Sequence, residues 1–270
     1  MTDIRHRRLA APVRAAVAVV LLTVALLFVA PAPAAAQDDP PEGFVELEMV
    51  SRLFLDVDDW DPMVELVGRF ESEEFEFGYR ALTIGSYYRV LENVKVGAFY
   101  RVQQGARHDE DWDVRYDGDL ERKDTTDRTE HVLVADVTPR FLFDFLPGED
   151  WVFAVKNRYH FNAYNTNQSL LLRPQLTYFW IRDRRPVLNI TGAYGVYLAL
   201  NFSDQLVYEH TPYLDAIYHL TDVTKLNAGV AWKTVHYAAE EDTGRWDDMD
   251  YSADQSTWLL RAGVIIRLGI

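Results

Sequence analysis

The chain has 270 residues, a formal net charge of −15 at pH 7, 49% hydrophobic residues and no cysteine. The missing thiols exclude disulfides, thiolate metal sites, cysteine nucleophiles and a lipoprotein signal, and the acidity argues against nucleic acid as a partner. The acidic residues concentrate in two segments, 109–127 and 240–254, whereas the segments with strand-like patterns carry a mild basic excess.

The first 36 residues have the layout of an export signal. Four arginines precede an apolar run over 15–30, and an alanine- and proline-rich stretch after this run ends at Ala36. This order is typical of a cleaved signal peptide. We predict that residues 1–36 are removed, which leaves 23 basic and 41 acidic residues. The alternative is a retained N-terminal helical anchor.

Alternation of apolar and polar residues predicts that 44–270 is one all-β domain. In the last strand, Trp258, Leu260 and Val264 share one face, while Thr257 and Arg261 lie on the other; a period of two is the signature of a strand. No stretch after the signal approaches the ~20 apolar residues of a membrane helix. The predicted strands are about ten: 44–57, 74–90, 93–104, 129–145, 151–164, 168–181, 186–201, 205–219, 224–238 and 256–269.

The segment 63–72 leaves the strand count open. Its apolar residues fit helical spacing after Asp61 and Pro62, a reasonable cap and first-turn pair. They fit a strand equally well, and a total of twelve strands would then require one further hairpin.

The connections alternate between tight turns and longer loops. Tight turns are predicted at 91–93, 147–150, 183–186 and 221–223, and longer loops at about 58–73, 105–128, 165–167, 202–204 and 239–255. This alternation, the apolar strand faces, the aromatic residues near strand ends and the export signal predict a transmembrane antiparallel up-and-down β-barrel. With ten strands, both the C-terminus and a short N-terminal segment, 37–43, would be periplasmic.

On these residues the chain resembles the Gram-negative outer-membrane β-barrel proteins. The last strand is similar to the signal that the barrel-assembly machinery recognises, although it ends in Ile270 where an aromatic residue is usual. The resemblance implies a bacterial outer-membrane location, with outer-membrane lipid, lipopolysaccharide and the assembly machinery as partners. The size is also similar to that of narrow porins for acidic oligosaccharides.

The charged face of each strand should line the lumen, because charge on the lipid side costs roughly 2–4 kcal/mol at the membrane midplane. Two outcomes are open: a salt-bridged filling that closes the barrel, since small barrels are often filled by their own side chains, or a narrow basic channel that favours anions. The predicted cationic lumen residues are Arg140, Lys156, Arg158, Arg173, Lys233, Arg261 and Arg267.

A tryptophan followed by an aspartate recurs in three predicted outer loops. The pairs Trp60–Asp61, Trp112–Asp113 and Trp246–Asp247 could contact a saccharide by stacking and hydrogen bonding. The favoured alternative is that the tryptophans anchor the membrane rim. Aspartates at 109, 111, 113, 117 and 119 could bind Ca²⁺ through several oxygens, but their spacing is not that of an EF-hand loop. No other cofactor is expected.

No catalytic motif stands out in the sequence. Neither Gly-x-Ser-x-Gly nor His-Glu-x-x-His occurs. The strand count resembles that of the ten-stranded omptin proteases, but their acidic and Asp-His motifs do not map onto this chain. We therefore expect a narrow porin for small, preferably anionic, solutes. A non-conducting structural or binding barrel is the alternative, and an omptin-like or lipid-modifying enzyme is a more remote one.

Overall fold

The computed structural model describes residues 45–71, 77–114, 120–122, 124–142, 150–240 and 250–269. The predicted signal peptide, 1–36, and the N-terminal segment, 37–43, lie outside these ranges. Thirteen strands and one short 3₁₀ helix make up the described chain. They are β1 (Val45–Asp56), β2 (Trp60–Glu71), β3 (Phe77–Leu91), β4 (Val94–Gln104), the 3₁₀ helix η1 (Asp109–Asp111), β5 (Trp112–Val114), β6 (Leu120–Arg122), β7 (Thr129–Leu142), β8 (Trp151–Asn162), β9 (Gln168–Arg182), β10 (Arg185–Ala199), β11 (Val207–His219), β12 (Thr224–Glu240) and β13 (Asp250–Gly269).

Eleven of these strands close into a barrel, which confirms the predicted all-β, up-and-down barrel of about ten to twelve strands. Each strand pairs with its neighbours in the order β1-β13-β12-β11-β10-β9-β8-β7-β4-β3-β2, and β5 pairs only with β6. All pairings are antiparallel except that of β1 with β13, which run parallel from Val45 opposite Trp258 to Asp56 opposite Gly269. Closure leaves each barrel strand hydrogen-bonded on both sides.

The ambiguous segment 63–72 belongs to a strand, so the expected outer loop over 58–73 is wrong. After a tight turn at Asp58 and Asp59, β2 pairs with β1 on one side and β3 on the other. Met63 and Val67 face the interior beside Glu65, while Val64 and Leu66 face outward. Because both faces of β2 carry apolar residues, its sequence does not alternate between apolar and polar residues, and the period of two that identifies a strand cannot be seen.

The odd strand number also overturns the argument that the two chain ends share one side of the barrel. We call the end bearing Asp56 and Gly269 the turn end, and the opposite end, where β1 begins at Val45, the loop end. The turn end has the tight connections at 92–93, 183–184 and 220–223, as predicted. Asp183 and Arg184 both have positive φ, 52° and 63°, as the right-handed twist of a two-residue hairpin favours.

The barrel wall is apolar outside and polar inside. Leu133, Val137 and Leu260 are among the large apolar side chains exposed on the outer face, whereas alternate positions of the same strands, such as Asp136 and Thr257, are buried in the interior. The predicted face assignment of β13 is therefore confirmed. No helix among the described residues is long and apolar enough to cross a membrane.

Candidate functional site: the barrel interior and its loop end

One carboxylate organises the middle of the lumen. Asp136 on β7 accepts hydrogen bonds from Arg158 and Thr138 at 3.0 and 2.6 Å and lies 3.2 Å from the Lys156 ammonium. The two cations also donate to the Tyr87 hydroxyl, at 3.1 Å from Arg158 and 3.3 Å from Lys156. Tyr87 is on β3, and two strands separate β3 from β8. These contacts therefore reach across the lumen instead of following its wall.

A second network covers the opposite wall. Glu48 on β1 accepts hydrogen bonds from Arg69 at 2.8 Å and from Arg261 at 2.7 Å, and Arg261 also donates to Asp215 at 3.2 Å. Gly229 faces Asp215 on the neighbouring strand, and a Cβ at this glycine would collide with the Asp215 carboxylate. The glycine therefore provides the room that this ion pair needs.

Ion pairs also close the turn end. Arg267 donates to Asp56 at 2.7 Å and to Asp61 at 3.3 Å, and Lys95 pairs with the same Asp61. Asp61 comes from β2 and Arg267 from β13, with β1 between them. Asp61 was expected in an outer binding loop, but its carboxylate is one of the groups that fill the lumen.

Most of the predicted cationic lumen residues do face the interior. Lys156 and Arg173 are direct partners in the β8–β9 ladder, as antiparallel pairing predicted. Arg173 lies over the Tyr213 ring at 5.3 Å, and its buried Nε has no hydrogen-bond partner. Lys233 lines a cavity at the loop end. Arg140 is the exception, because it is exposed close to the turn end.

The long connection between β4 and β7 crosses the loop end of the barrel. At its start, Ala106, Arg107 and His108 line the cavity, and the side chain of Asp109 accepts a hydrogen bond from the backbone N–H of Ala238 at 3.4 Å. Ala238 is on β12, which lies opposite β4 and β7 in the closed order. The segment therefore spans the mouth from one wall to the other.

Arg128 fixes the far end of this connection. Its two terminal nitrogens donate to the two oxygens of Asp111 at 2.5 and 2.6 Å, and its Nε donates to Glu130 at 2.8 Å. This two-pronged geometry is the strong form of an arginine–carboxylate pair. The hydrogen bond and the charge of Asp111 raise the pKa of Arg128 above its ordinary value, so the guanidinium stays charged.

These contacts change the interpretation of the acidic loop. Asp111, one of the candidate Ca²⁺ ligands, uses both oxygens for Arg128. The side chain of Asp113 and residues 117 and 119 lie outside what the structure describes. Within the described residues, no group of three or more histidine or acidic side chains is placed to hold a metal ion.

Glu130 is the most enclosed acid of the loop end. It is fully buried and accepts hydrogen bonds from Gln103 at 3.1 Å and Asn162 at 2.9 Å, with the His108 ring nitrogen at 3.0 Å. Sequence analysis did not single out this residue. Its position on the inner face of β7 was the only available signal, and that signal is shared with many residues.

A histidine joins two strands to a loop on the other side of the mouth. The His236 ring nitrogens lie 2.7 Å from Asp254 and 2.9 Å from Asp204. The imidazole ring therefore bridges two acidic side chains, one through each of its nitrogens. The loop between β10 and β11 is thereby tied to β12 and β13.

Beneath the crossing segment lies a chamber of about 240 Å³. Its walls combine tyrosines, both signs of charge and three histidines. The lining includes Glu46, Arg101, Tyr197, Tyr208, Glu209 and Lys233. The tyrosines belong to an edge-to-face series in which Tyr208 contacts Tyr197 at 6.0 Å and Phe202 at 5.0 Å between ring centroids.

Of the three tryptophan–aspartate pairs, only Trp60–Asp61 has side chains within the described part of the chain. Trp60 is exposed at the turn end and packs on Tyr88 at 4.7 Å, which is the rim position expected of an anchoring tryptophan. Trp112 and Asp113 fall in β5, although their side chains are outside the described part. Trp246 and Asp247 lie wholly outside it. The placement of Trp60 and Asp61 in an outer loop is therefore wrong, whereas a saccharide contact by the other two pairs stays a prediction.

Comparison with known proteins places the chain in no family. No protein-family model matches it, and no curated protein matches it either. The function proposed below therefore rests on the geometry of the barrel interior.

Proposed function

We propose that this chain is an outer-membrane β-barrel, with its turn end in the periplasm and its loop end at the cell surface. The apolar outer face supports this, because a soluble protein rarely leaves so much contiguous apolar surface in water. The alternation of tight turns and longer loops supports the orientation. Its partners would then be outer-membrane lipid, lipopolysaccharide and the barrel-assembly machinery.

Membrane fractionation and gel mobility test this placement. We expect the protein in the outer-membrane fraction, with a shift in mobility between unboiled and boiled samples that reports unfolding of a closed barrel. Full recovery in a soluble periplasmic extract would contradict the proposal.

We further propose that the lumen is closed, so that the protein is a binding barrel and not an open porin. The observation that carries this proposal is the Asp136 cluster: the aspartate is 1% exposed, and its two cations bond to Tyr87 across the lumen. A water-filled channel would leave these groups wet. Their enclosure corresponds to the filled interior common in small barrels. We propose no catalytic role.

Planar-bilayer recording is the decisive experiment. We expect wild-type protein to be silent under conditions in which a known porin conducts. Tyr87→Ala removes the group that spans the lumen, and we expect brief openings from this variant. Trp60→Ala, on the outer face at the turn end, is the control and should stay silent. Stable wild-type conductance steps would contradict closure.

A narrow anion-selective channel is the second candidate, because three interior cations have no carboxylate partner. Arg101, Arg173 and Lys233 form no ion pair with any residue that the structure describes. Unpaired cations in a pore lower the barrier to anions. If wild-type protein conducts, the reversal potential in a salt gradient should show anion preference that grows as salt screens the acidic loops. Replacing Arg101 and Lys233 with glutamine should reduce that preference.

A further inference from the structure

The chamber under the crossing segment holds a separated pair of opposite charges. Glu209 on β11 and Lys233 on β12 line the same cavity from neighbouring strands, yet they form no ion pair with each other. Glu209 accepts a hydrogen bond from the Thr211 hydroxyl at 3.1 Å. Lys233 has no hydrogen-bond partner among the described residues.

A second acid on β1 and a second cation on β4 line the same chamber. Glu46 is buried to 6% exposure and its Oε2 has no hydrogen-bond partner, while its Oε1 is 4.0 Å from Arg107. Arg101 donates its Nε to Thr83 at 3.2 Å and has no carboxylate partner in the described chain. Buried charged atoms without a hydrogen-bond partner are costly, so the Glu46 Oε2 atom and the Lys233 ammonium group both call for a complement.

We propose that the chamber binds a small zwitterion, a molecule with one ammonium and one carboxylate group. The ammonium would lie against Glu209 and Glu46, and the carboxylate against Lys233 and Arg101. A simple anion would satisfy the two cations but would meet two carboxylates in the same space. A ligand with both charges satisfies all four groups, which is the reason for choosing this class.

The aromatic wall fits the same class of ligand. Tyr197, Tyr208 and Phe202 form a continuous edge-to-face group that lines the same cavity as Glu209, and Tyr208 directly precedes Glu209 in sequence. Aromatic faces attract ammonium groups and pack against methylene carbons. The volume of about 240 Å³ lies just below the roughly 300–1,000 Å³ of pockets for drug-sized ligands, so it suits a compact solute.

The inference rests on the proposed function in one respect: if the lumen is closed, a ligand can enter the chamber only from the loop end. Its test is therefore independent of conductance. Calorimetric titration of the folded, detergent-solubilised full-length protein compares 4-aminobutyrate with butyrate and with butylamine. These probes share a four-carbon chain, and the second and third each lack one charge. A series from glycine to 5-aminopentanoate then measures the preferred spacing of the two charges.

We expect 4-aminobutyrate or a neighbour in the length series to bind at least about tenfold more tightly than butyrate and butylamine, because each lost charged hydrogen bond is worth about that factor. Lys233→Gln and Glu209→Gln should each weaken binding by a similar factor. The double variant Lys233→Glu with Glu209→Lys restores both charges and should recover much of the affinity. Lys225→Gln, on the same strand but away from the chamber, should bind as wild type does.

Equal binding of butyrate and the zwitterion would overturn the proposal in favour of an anion site, and binding of none of the probes would overturn it outright. The mobility shift on boiling checks that each variant is folded. A silent barrel that binds no zwitterion would refute this inference and leave the proposed function standing. A barrel that conducts and also binds the zwitterion would refute the proposed closure of the lumen and leave this inference standing.

Discussion

A single aspartate, Asp136, forms ion pairs with two cations on the neighbouring strand, and a third cation, Arg173, is the ladder partner of one of them. Removing a carboxylate from such a position leaves the buried cations without a counter-charge. This lowers the free energy of unfolding by far more than the net contribution of the ion pair itself. The residue therefore offers a direct measurement of how dry the lumen is.

We expect Asp136→Asn to lower the free energy of unfolding by about 3–5 kcal/mol. Urea titration of the protein in lipid vesicles measures the change. Asp222→Asn is the matched control, because Asp222 pairs with Arg185 at 3.3 Å with both side chains more than 70% exposed, and such pairs contribute roughly 0–1 kcal/mol. A small effect of Asp136→Asn would mean that water reaches the cluster, which favours the channel.

Sequence analysis identified the inward-facing cations but not their partners. The alternation of apolar and polar residues along β8 and β9 was enough to place Lys156, Arg158 and Arg173 on the inner face. The bond from Arg158 to Tyr87 joins residues 71 positions apart on strands that are not neighbours. Such a contact depends on the radius of the closed barrel, and no local pattern records that radius.

At the scale of elements, the segment between β4 and β7 acts as a cover held at two places. Arg128 holds its far end through Asp111 and Glu130, and Asp109 reaches β12 across the mouth. The length of this connection was predicted, whereas its course across the opening was not, because it depends on contacts between distant strands. The outer loops predicted at 165–167 and 202–204 lie at the loop end as expected.

We expect Arg128→Ala to free this segment while the barrel stays closed. Limited trypsin digestion should cut the variant faster, since the segment contains Arg107, Arg115 and Arg122 as cleavage sites. Arg128→Lys should give an intermediate rate, because lysine cannot make the two-pronged bond to Asp111. Arg185→Ala, at the other end of the barrel, controls for the loss of an arginine. Unchanged digestion of Arg128→Ala would show that Arg128 does not hold the segment.

For β2 the sequence pattern failed for a physical reason that other small barrels share. Its interior face carries Met63 and Val67 between charged residues, because a filled lumen is packed partly by apolar side chains; Met63 joins Phe99, Val132 and Val134 in one buried cluster. In a water-filled barrel the inner face would be polar throughout and the strand easily found. The missed strand is thus itself a sign of a packed interior.

The whole molecule is closed by a parallel seam, and this is testable because the chain has no cysteine. Leu47 and Leu260 are directly opposite each other on β1 and β13 and both face outward. We expect Leu47→Cys with Leu260→Cys to form a disulfide in the folded protein, since adjacent strands bring the Cα atoms within the usual range.

The control pair is Leu47→Cys with Leu268→Cys. Leu268 lies opposite Leu55, which is about 26 Å along the strand from Leu47, so no cross-link should form. An even-stranded barrel with antiparallel closure would bring the control pair together instead. Cross-linking of the control in place of the first pair would therefore refute the eleven-strand topology.

The same seam gives the protein a polarity that even-stranded barrels lack. Polypeptide entering β1 at Val45 arrives at the loop end, whereas polypeptide leaving β13 at Gly269 emerges at the turn end. In the proposed orientation, an epitope inserted before Phe44 would be displayed to antibody on intact cells, and one attached behind Gly269 would be reached only after permeabilisation. The barrel would thus act as a two-sided display scaffold, with each of its fusion points facing a different compartment.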